Sequence, residues 1–246
     1  MTLPVHLVPS LAGVPPGATV TVEGDEAHHA VAVRRLRVGE SVVLTDGVGR
    51  SVTGAVASTG KRVFTVEVAA AEEVPRPSPS FVVVQALPKG DRGELAVEVL
   101  TEVGVDRVVP WAAARSVAVW KGERAAKSLA RWRSTAREAA KQARRPWHPE
   151  VTELASTTDV VRLVADADLA VVLHEAATAP LAGLDVPRSG VVVVVVGPEG
   201  GLTDDEVTAL VDAGAVSVRL GSEVLRTSTA GVAACAALLA RTPRWG

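Results

Sequence analysis

The chain has 246 residues, of which 48% are hydrophobic and 22% are charged, and its formal net charge is −2. This composition is typical of a globular protein with one or two domains, and it excludes a disordered tail, a collagen and a coiled coil. The single cysteine, Cys235, excludes a disulfide framework and a multi-cysteine zinc or iron–sulfur site. The longest apolar runs, 191–196 and 230–240, are well short of the ~18 residues that a membrane helix needs, and the first ten residues make a poor signal peptide. We therefore expect a cytoplasmic protein.

The first seventy residues have the alternating, β-branched pattern of short strands, with one helical patch over 26–36. Turn signals such as Asp46-Gly47 separate these strands, which predicts a small β-barrel over residues 1–72. Prolines at every second position from Pro75 to Pro79 predict a stiff linker over 73–80. A second domain is expected over 81–246.

Apolar runs of strand length recur after the linker and alternate with helical patterns, which predicts an α/β domain with a parallel sheet covered on both faces. The runs are 81–87, 107–113, 169–175, 191–197 and 216–221. Among the helices, one over 93–103 places Leu95, Val99, Leu100 and Val103 on one stripe. Another begins at a capping box formed by Thr203 and Glu206.

The positive charge of the chain is concentrated in one predicted helix. Residues 121–145 contain nine basic and two acidic side chains, a net of +7, whereas the rest of the chain is acidic. Such a stretch favours contact with a phosphate backbone, although a plain solvated helix is the alternative. Because aromatic residues are only 3% of the chain, a sheet that reads RNA by base stacking is not expected.

Two glycine-containing segments follow predicted strands near the end of the chain. Residues 197–201 read Gly-Pro-Glu-Gly-Gly between a buried strand and the capped helix. Ligands of open α/β sheets bind at the carboxyl ends of strands, although a tight turn without a ligand is the alternative. The loop lacks both the P-loop and the dinucleotide-binding patterns, which disfavours a kinase, an NTPase and a classical dinucleotide enzyme.

The second segment, 218–240, has a strand that ends at Leu220-Gly221, a loop that carries Glu223 and Arg226, and a helix of small residues. Ser228 or Thr229 is expected to cap that helix. We interpret Cys235 as a small buried side chain rather than a nucleophile.

These two segments, read as GPEGG…LT..E…..G…V.LG…LRT.TA, resemble the 16S rRNA (uracil-N3) methyltransferase family of the SPOUT, trefoil-knotted class. Residues 28–47, 86–105, 115–117, 138–142 and 173–175 are similar to further family positions, so the resemblance covers almost the whole chain. Four residues depart from what the family commonly has at their positions: Arg34, Lys141, Glu223 and Ser228.

The resemblance implies an RNA-binding, PUA-like β-barrel followed by a knotted parallel-sheet domain that binds S-adenosylmethionine, with no metal, in a homodimer that acts on the small ribosomal subunit. The residues implied for the cofactor are Leu173, His174, Glu175, Gly197, Pro198, Glu199, Gly200, Gly201, Leu220, Gly221, Ser222, Val224, Leu225 and Arg226. The residues expected to contact RNA are Arg34, Arg35, Arg37, Lys89, Arg115, Arg131, Arg137, Lys141, Gln142 and Arg145.

Methyl transfer to uracil N3 requires the N3 proton to leave, so charge develops on the ring carbonyls. We expect Arg226 to be the cation that stabilises it, with a salt bridge to Glu223 or a phosphate contact as the alternatives. For Glu199 we favour a helix-cap or backbone-bonding role, because a carboxylate of ordinary pKa is a weak base for this proton. Two other functions stay open at this point: methylation at another position, such as a ribose 2′-hydroxyl, and RNA binding without catalysis.

Overall fold

A computed structural model describes residues 3–245, which divide into two units. The first unit holds the described residues up to Arg76 together with Lys141–His148, and the second holds Pro77–Ala140 and the described residues from Pro149 onward. No helix among these residues is long and apolar enough to cross a membrane.

The first unit is built on a five-stranded sheet of order β1–β3–β4–β5–β2, in which β1 is parallel to β3 and the other pairs are antiparallel. Its strands are β1 (Val5–Leu7), β2 (Thr19–Glu23), β3 (Ser41–Thr45), β4 (Arg50–Thr59) and β5 (Val63–Glu73). Alternating side chains of these strands, among them Leu44, Phe64 and Val66, form its core. The alternation that predicted strands thus reflects a sheet with one buried face.

The predicted helical patch is a short helix, α1 (Gly24–His28), that continues as a π-helical turn over His29–Val33. The chain then turns at Arg35, whose φ of 58° is left-handed. Arg34, Arg35 and Arg37 are all exposed on this turn.

Lys141 is buried in the first unit, whereas a contact with RNA would require it to be exposed. Its side chain is only 9% exposed, and its ammonium lies 3.1 Å from Glu26 Oε2 within the first unit. On its other side the Glu26 carboxylate lies 3.3 Å from His6 Nδ1. The charge of Lys141 is used inside the unit, which disfavours the expected contact between Lys141 and RNA.

The second unit is built on a six-stranded, wholly parallel sheet of order β11–β9–β10–β6–β7–β8. Its strands are β6 (Ser80–Ala86), β7 (Arg107–Trp111), β8 (Glu150–Val151), β9 (Leu169–Leu173), β10 (Val191–Val196) and β11 (Val216–Val218). Its helices are α2 (Arg92–Val103), α3 (Gly122–Gln142, whose last two residues belong to the first unit), α4 (Thr157–Ala165), α5 (Asp204–Asp212) and α6 (Thr227–Leu239). A 3₁₀ turn spans Leu181–Gly183.

Strand β10 shows why the near-continuous apolar runs are needed. Val192, Val194 and Val196 pack into the cluster that holds α2, α3 and α6, whereas Val193 and Val195 pack on the opposite face with α4 and α5. Because both faces are covered, alternate valines are buried on opposite sides of one sheet. The predicted parallel sheet covered on both faces is confirmed.

Two local predictions are corrected, and two elements were not predicted. The buried residues of α2 are Gly93, Ala96, Val97, Leu100 and Thr101. Leu100 is buried and Val103 packs against the core as predicted, whereas Leu95 is 44% exposed, so the predicted stripe is wrong at Leu95. Helix α6 has Arg226 as its N-cap and no side-chain cap, so neither Ser228 nor Thr229 caps it. Strand β8 and helix α4 were not predicted from the sequence. The capping box at Thr203 and Glu206 is present as predicted.

Candidate functional site

A cavity of about 650 Å³ lies where strands β9, β10 and β11 end. Parallel strands bring their carboxyl ends to one edge of the sheet, and the loops that follow these three strands meet there. The first turn of α2 and the loop after β7 complete the wall through Arg92 and Arg115. The volume is within the 300–1,000 Å³ typical of small-molecule sites.

The glycine loop 197–201 is shaped by close packing as well as by backbone freedom. Gly201 has a left-handed φ of +71°, which side chains rarely allow. A Cβ on Gly200 would lie 3.0 Å from the carbonyl oxygen of Arg115. Glycine at this position therefore lets the loop after β7 pack directly against the glycine loop.

Hydrogen bonds from neighbouring loops hold the glycine loop in place. The backbone N–H of Lys89 donates to Glu199 Oε1 at 3.1 Å, and Arg115 Nη1 donates to the carbonyl of Leu202 at 3.1 Å. The buried carboxylate of Glu206 accepts the backbone N–H of Ala114 at 2.8 Å while it also closes the capping box of α5. Glu199 thus has the backbone-bonding role that we favoured over that of a base.

Helix α6 closes the cavity from a third direction. The hydroxyl of Thr227 donates to the carbonyl of Gly197, so the start of α6 is attached to the glycine loop. One turn further, the absent side chain of Gly231 lets α6 approach β10 and α2: a Cβ there would lie 3.2 Å from Val196 Cγ2 and 3.3 Å from Leu100 Cδ2. The small residues of this helix allow that close packing, and Cys235 is fully buried in it, where burial raises the pKa of its thiol to about 12.

His174 follows the last residue of β9 and is held by hydrogen bonds to β11 and to its own loop. Its backbone N–H donates to the carbonyl of Val218 at 3.0 Å, and its Nδ1 accepts the N–H of Ala176 at 3.3 Å. Both bonds fix the shape of the loop beside the cavity.

Every residue predicted for the cofactor loops lines this cavity, which brings together three separate segments of the chain between Leu173 and Arg226. Their contact with a cofactor stays a prediction. The sequence reasoning missed several further lining residues, which are Arg92, Val196, Leu202, Asp204, Val218, Arg219, Thr227 and Ala230. The place of Arg92 could have been predicted from the sequence, since Arg92 follows the apolar strand 81–87 by a few residues.

Arg226 is the N-cap of α6 and lines the cavity. Within residues 3–245 its guanidinium forms no ion pair, so the alternative of a salt bridge to Glu223 does not occur in this structure. The charge is available to a ligand in the cavity.

The residues expected to contact RNA are dispersed. Lys89, Arg137 and Gln142 are exposed, and Arg131 is exposed but lies 3.3 Å from the Glu94 carboxylate. Arg115 is used to hold the glycine loop, as described above. Arg145 lies in the first unit and already interacts with another group of the protein.

Comparison with known proteins identifies the class. A family model described as an RNA methyltransferase domain matches residues 75–239, and a model described as an RNA methyltransferase PUA domain matches residues 22–69. The parallel sheet with its cavity and the N-terminal unit therefore define an RNA methyltransferase that carries a PUA domain.

Similar sequences identify the particular family. The chain is 47% identical over 233 residues to the ribosomal RNA small subunit methyltransferase E of Mycobacterium bovis, which covers 93% of this chain and 89% of that protein. It is 32% identical to the protein of the same name from Bacillus subtilis, with 91% of each chain covered. This chain belongs to the ribosomal RNA small subunit methyltransferase E family, and the resemblance drawn from its motifs is confirmed.

Two similar solved structures were determined with S-adenosylmethionine bound. A methyltransferase from Legionella pneumophila has a TM-score of 0.90 and 27% identity and covers 98% of this chain and 99% of its own. The ribosomal RNA small subunit methyltransferase E of Neisseria gonorrhoeae has a TM-score of 0.86 and 28% identity, with 98% of both chains covered. The expected fold class, a PUA domain followed by a parallel-sheet methyltransferase domain, is confirmed, whereas the knot stays a prediction.

Proposed function

We propose that this chain binds S-adenosylmethionine in the cavity at the ends of β9, β10 and β11 and transfers its methyl group to N3 of a specific uridine in 16S rRNA. The observation that carries the proposal is the cavity itself. Three loops with the residues that the family resemblance assigns to the cofactor converge on it, in a chain of a ribosomal RNA methyltransferase family.

The residues present fit such a cofactor. The cavity has room for a nucleoside and an amino-acid tail, and at Gly221 a Cβ would meet nothing closer than 3.5 Å, so the backbone there is open to a ligand. Leu220–Ser222 and the glycine loop line the cavity, so that an adenine bound there would lie beside their backbone. When bound, S-adenosylmethionine supplies a methyl group on a sulfonium, which is electrophilic without a metal ion.

The protein then has two tasks toward the acceptor. It aligns uracil N3 with the methyl group, since a near-attack geometry lowers the barrier by several kcal/mol. It also favours loss of the N3 proton, and Arg226 does so by stabilising the negative charge that develops on O2 or O4. Glu199, bound to the N–H of Lys89, positions the glycine loop instead of taking that proton.

The exposed cations recruit the RNA. Arg34, Arg35 and Arg37 on the turn after α1 and Arg131 and Arg137 on α3 provide phosphate contacts, which give affinity that falls with salt. We further propose that the chain works in the cytoplasm as a homodimer, with α6 and the cofactor loops near the two-fold axis.

Mass spectrometry of rRNA nucleosides tests the function. A strain that lacks this chain should lose N3-methyluridine from 16S rRNA, and the purified protein with S-adenosylmethionine should restore it on rRNA or small subunits from that strain. An unchanged nucleoside profile would contradict the proposal. Loss of a 2′-O-methylated nucleoside instead would assign the chain to ribose methylation, and cofactor binding by calorimetry separates an enzyme from a non-catalytic RNA-binding protein.

A further inference from the structure

Arg92 is a cation on the wall of the cavity to which neither the motifs nor the family resemblance gave a role. It is the first residue of α2, it is half-exposed, and it lines the cavity. Within residues 3–245 its guanidinium forms no hydrogen bond or ion pair, in contrast to Arg115, whose guanidinium is bound to loop carbonyls. A charge without a partner at the rim of a binding cavity is available to a ligand.

The backbone around Arg92 is fixed on both sides. Before it, the N–H of Lys89 is bound to Glu199 of the glycine loop. After it, Gly93 packs so closely on the indole of Trp132 that a Cβ there would lie 2.6 Å from the ring. Arg92 therefore projects from a segment held between the glycine loop and α3, which reduces the cost of ordering its side chain on a ligand.

The order of the strands indicates which ligand Arg92 meets. The proposed cofactor loops follow β9, β10 and β11, whereas Arg92 follows β6, which lies on the other side of β10. Arg226 begins α6, and α6 packs on α2 through Gly231 and Leu100. Arg92 and Arg226 thus stand at the N-terminal ends of two helices that pack on each other, and both line the cavity. Arg92 enters it from the β6 side of β10, opposite the β9 loop, and this side is left for the acceptor base.

We propose that Arg92 is a second cation of the active site that contacts the acceptor uracil and stabilises its N3-deprotonated form together with Arg226. The inference rests on the proposed function. In the step it serves, the N3–H bond breaks and the proton passes to water, and the electron pair of N3 forms the bond to the methyl carbon. The C–S bond breaks with its electron pair retained by sulfur. Negative charge on O2 and O4 is greatest before the new bond is complete, so a nearby guanidinium accelerates the step.

The test compares Arg92→Gln and Arg92→Lys with wild type in single-turnover formation of N3-methyluridine at saturating S-adenosylmethionine and rRNA. We expect Arg92→Gln to lower the rate ~10²-fold at neutral pH. The rate of Arg92→Gln should rise with pH beyond the point where the wild-type rate levels off. At high pH hydroxide removes the N3 proton of the uracil, so the N3 anion forms without help from the guanidinium. Arg92→Lys should retain much of the activity. Arg188→Gln is the matched control, since Arg188 is exposed in the second unit and lies outside the cavity.

Calorimetry with the cofactor and filter binding with rRNA give readouts apart from turnover, and both affinities should be nearly unchanged in Arg92→Gln. A large loss of cofactor affinity would place Arg92 on the cofactor and overturn the inference. A loss of rRNA affinity with the wild-type pH profile would make it a phosphate contact and overturn it as well. If wild type forms no N3-methyluridine, the proposed function itself fails, whereas an active wild type with an equally active Arg92→Gln rejects this inference alone.

Discussion

Arg244 and Asp106 form an ion pair in which Arg244 Nη1 lies 2.6 Å from Asp106 Oδ2, and both side chains are at most 10% exposed. The same guanidinium donates to the carbonyls of Pro79 and Gly104, and the Asp106 carboxylate accepts the N–H of Phe81 at the start of β6. The residues after α6 are thereby attached to the start of β6 and to the turn between α2 and β7.

Replacement of Arg244 by Ala should destabilise the protein by about 3–5 kcal/mol, because it leaves a buried carboxylate without its cation. The measurement is the free energy of unfolding in urea. Arg107→Ala is the control: Arg107 pairs with Glu150 at 3.0 Å, but both side chains are exposed, so the loss should be below about 1 kcal/mol. Equal effects of the two substitutions would contradict a special role for the Arg244 pair.

Glu26 should make the stability of the protein depend on pH in the acid range. Burial raises the pKa of Glu26, but the hydrogen bond from His6 and the charge and hydrogen bond of Lys141 outweigh it, so the pKa falls from 4.5 to about 2. A carboxylate whose pKa is lower in the folded state stabilises that state fully above the unfolded value. This contribution, up to about 3 kcal/mol, is lost as the pH falls from 4.5 to 2.

Urea unfolding at pH 5, 4, 3 and 2 measures this loss, and Glu26→Gln should flatten the curve over this interval. Glu40→Gln is the control, since Glu40 is exposed in the same unit. A Glu26→Gln variant with the wild-type pH dependence would show that other carboxylates carry the effect.

Substitutions in the two glycine-containing loops should weaken cofactor binding by different routes. Gly200→Val forces the loop away from the carbonyl of Arg115, which a Cβ would approach to 3.0 Å, and Gly221→Val places a side chain in the open cavity. We expect each to lower the affinity for S-adenosylmethionine at least ~10-fold, since backbone approach depends on the missing side chain. Gly183→Ala, where the new Cβ makes only an ordinary contact at 3.6 Å, should bind normally. Unchanged affinity in both valine variants would remove these loops from the cofactor site.

Arg226→Ala should lower the single-turnover rate of methyl transfer by ~10²-fold or more at saturating RNA, because the cation that stabilises the developing oxyanion is gone. The salt dependence of RNA binding should stay nearly as in wild type. If RNA affinity falls instead and the rate at saturation is untouched, Arg226 is a phosphate contact.

Exposed basic residues of α3 should carry part of the salt dependence of RNA binding. If Arg131 and Arg137 each meet a phosphate, their joint replacement by Ala should reduce the slope of log affinity against log salt by roughly 1.5–2. Fluorescence anisotropy with an rRNA fragment between low and moderate salt measures the slope, and cofactor affinity should not change. Lys141 is omitted because its replacement would disrupt the Glu26 pair. An unaltered slope would show that Arg131 and Arg137 do not contact RNA phosphates and that the RNA interface lies elsewhere.

Local patterns in the sequence predicted five of the six strands of the second unit, all except the two-residue strand β8. The run 191–196 is apolar at every position, as a strand buried on both faces requires, and the capping box at Thr203 marks where the next helix starts. That the loops 173–175, 197–201 and 220–226 come together was implied by the family resemblance, and in the structure all three line one cavity at the carboxyl ends of parallel strands.

Pairings between distant residues were decided only by the tertiary structure. Lys141 and Glu26 are 115 residues apart, and Arg244 and Asp106 are 138 residues apart. A charged residue in a helix has the same local pattern whether it faces solvent or a buried partner, so the basic run 121–145 indicated phosphate contact at Lys141, where the structure has an ion pair. In α2, Gly93 packs against Trp132 and Arg92 lines the cavity, and neither neighbour can be read from the periodicity of the helix. Sequence periodicity reports how much of an element is buried, whereas the identity of each partner depends on how the elements pack.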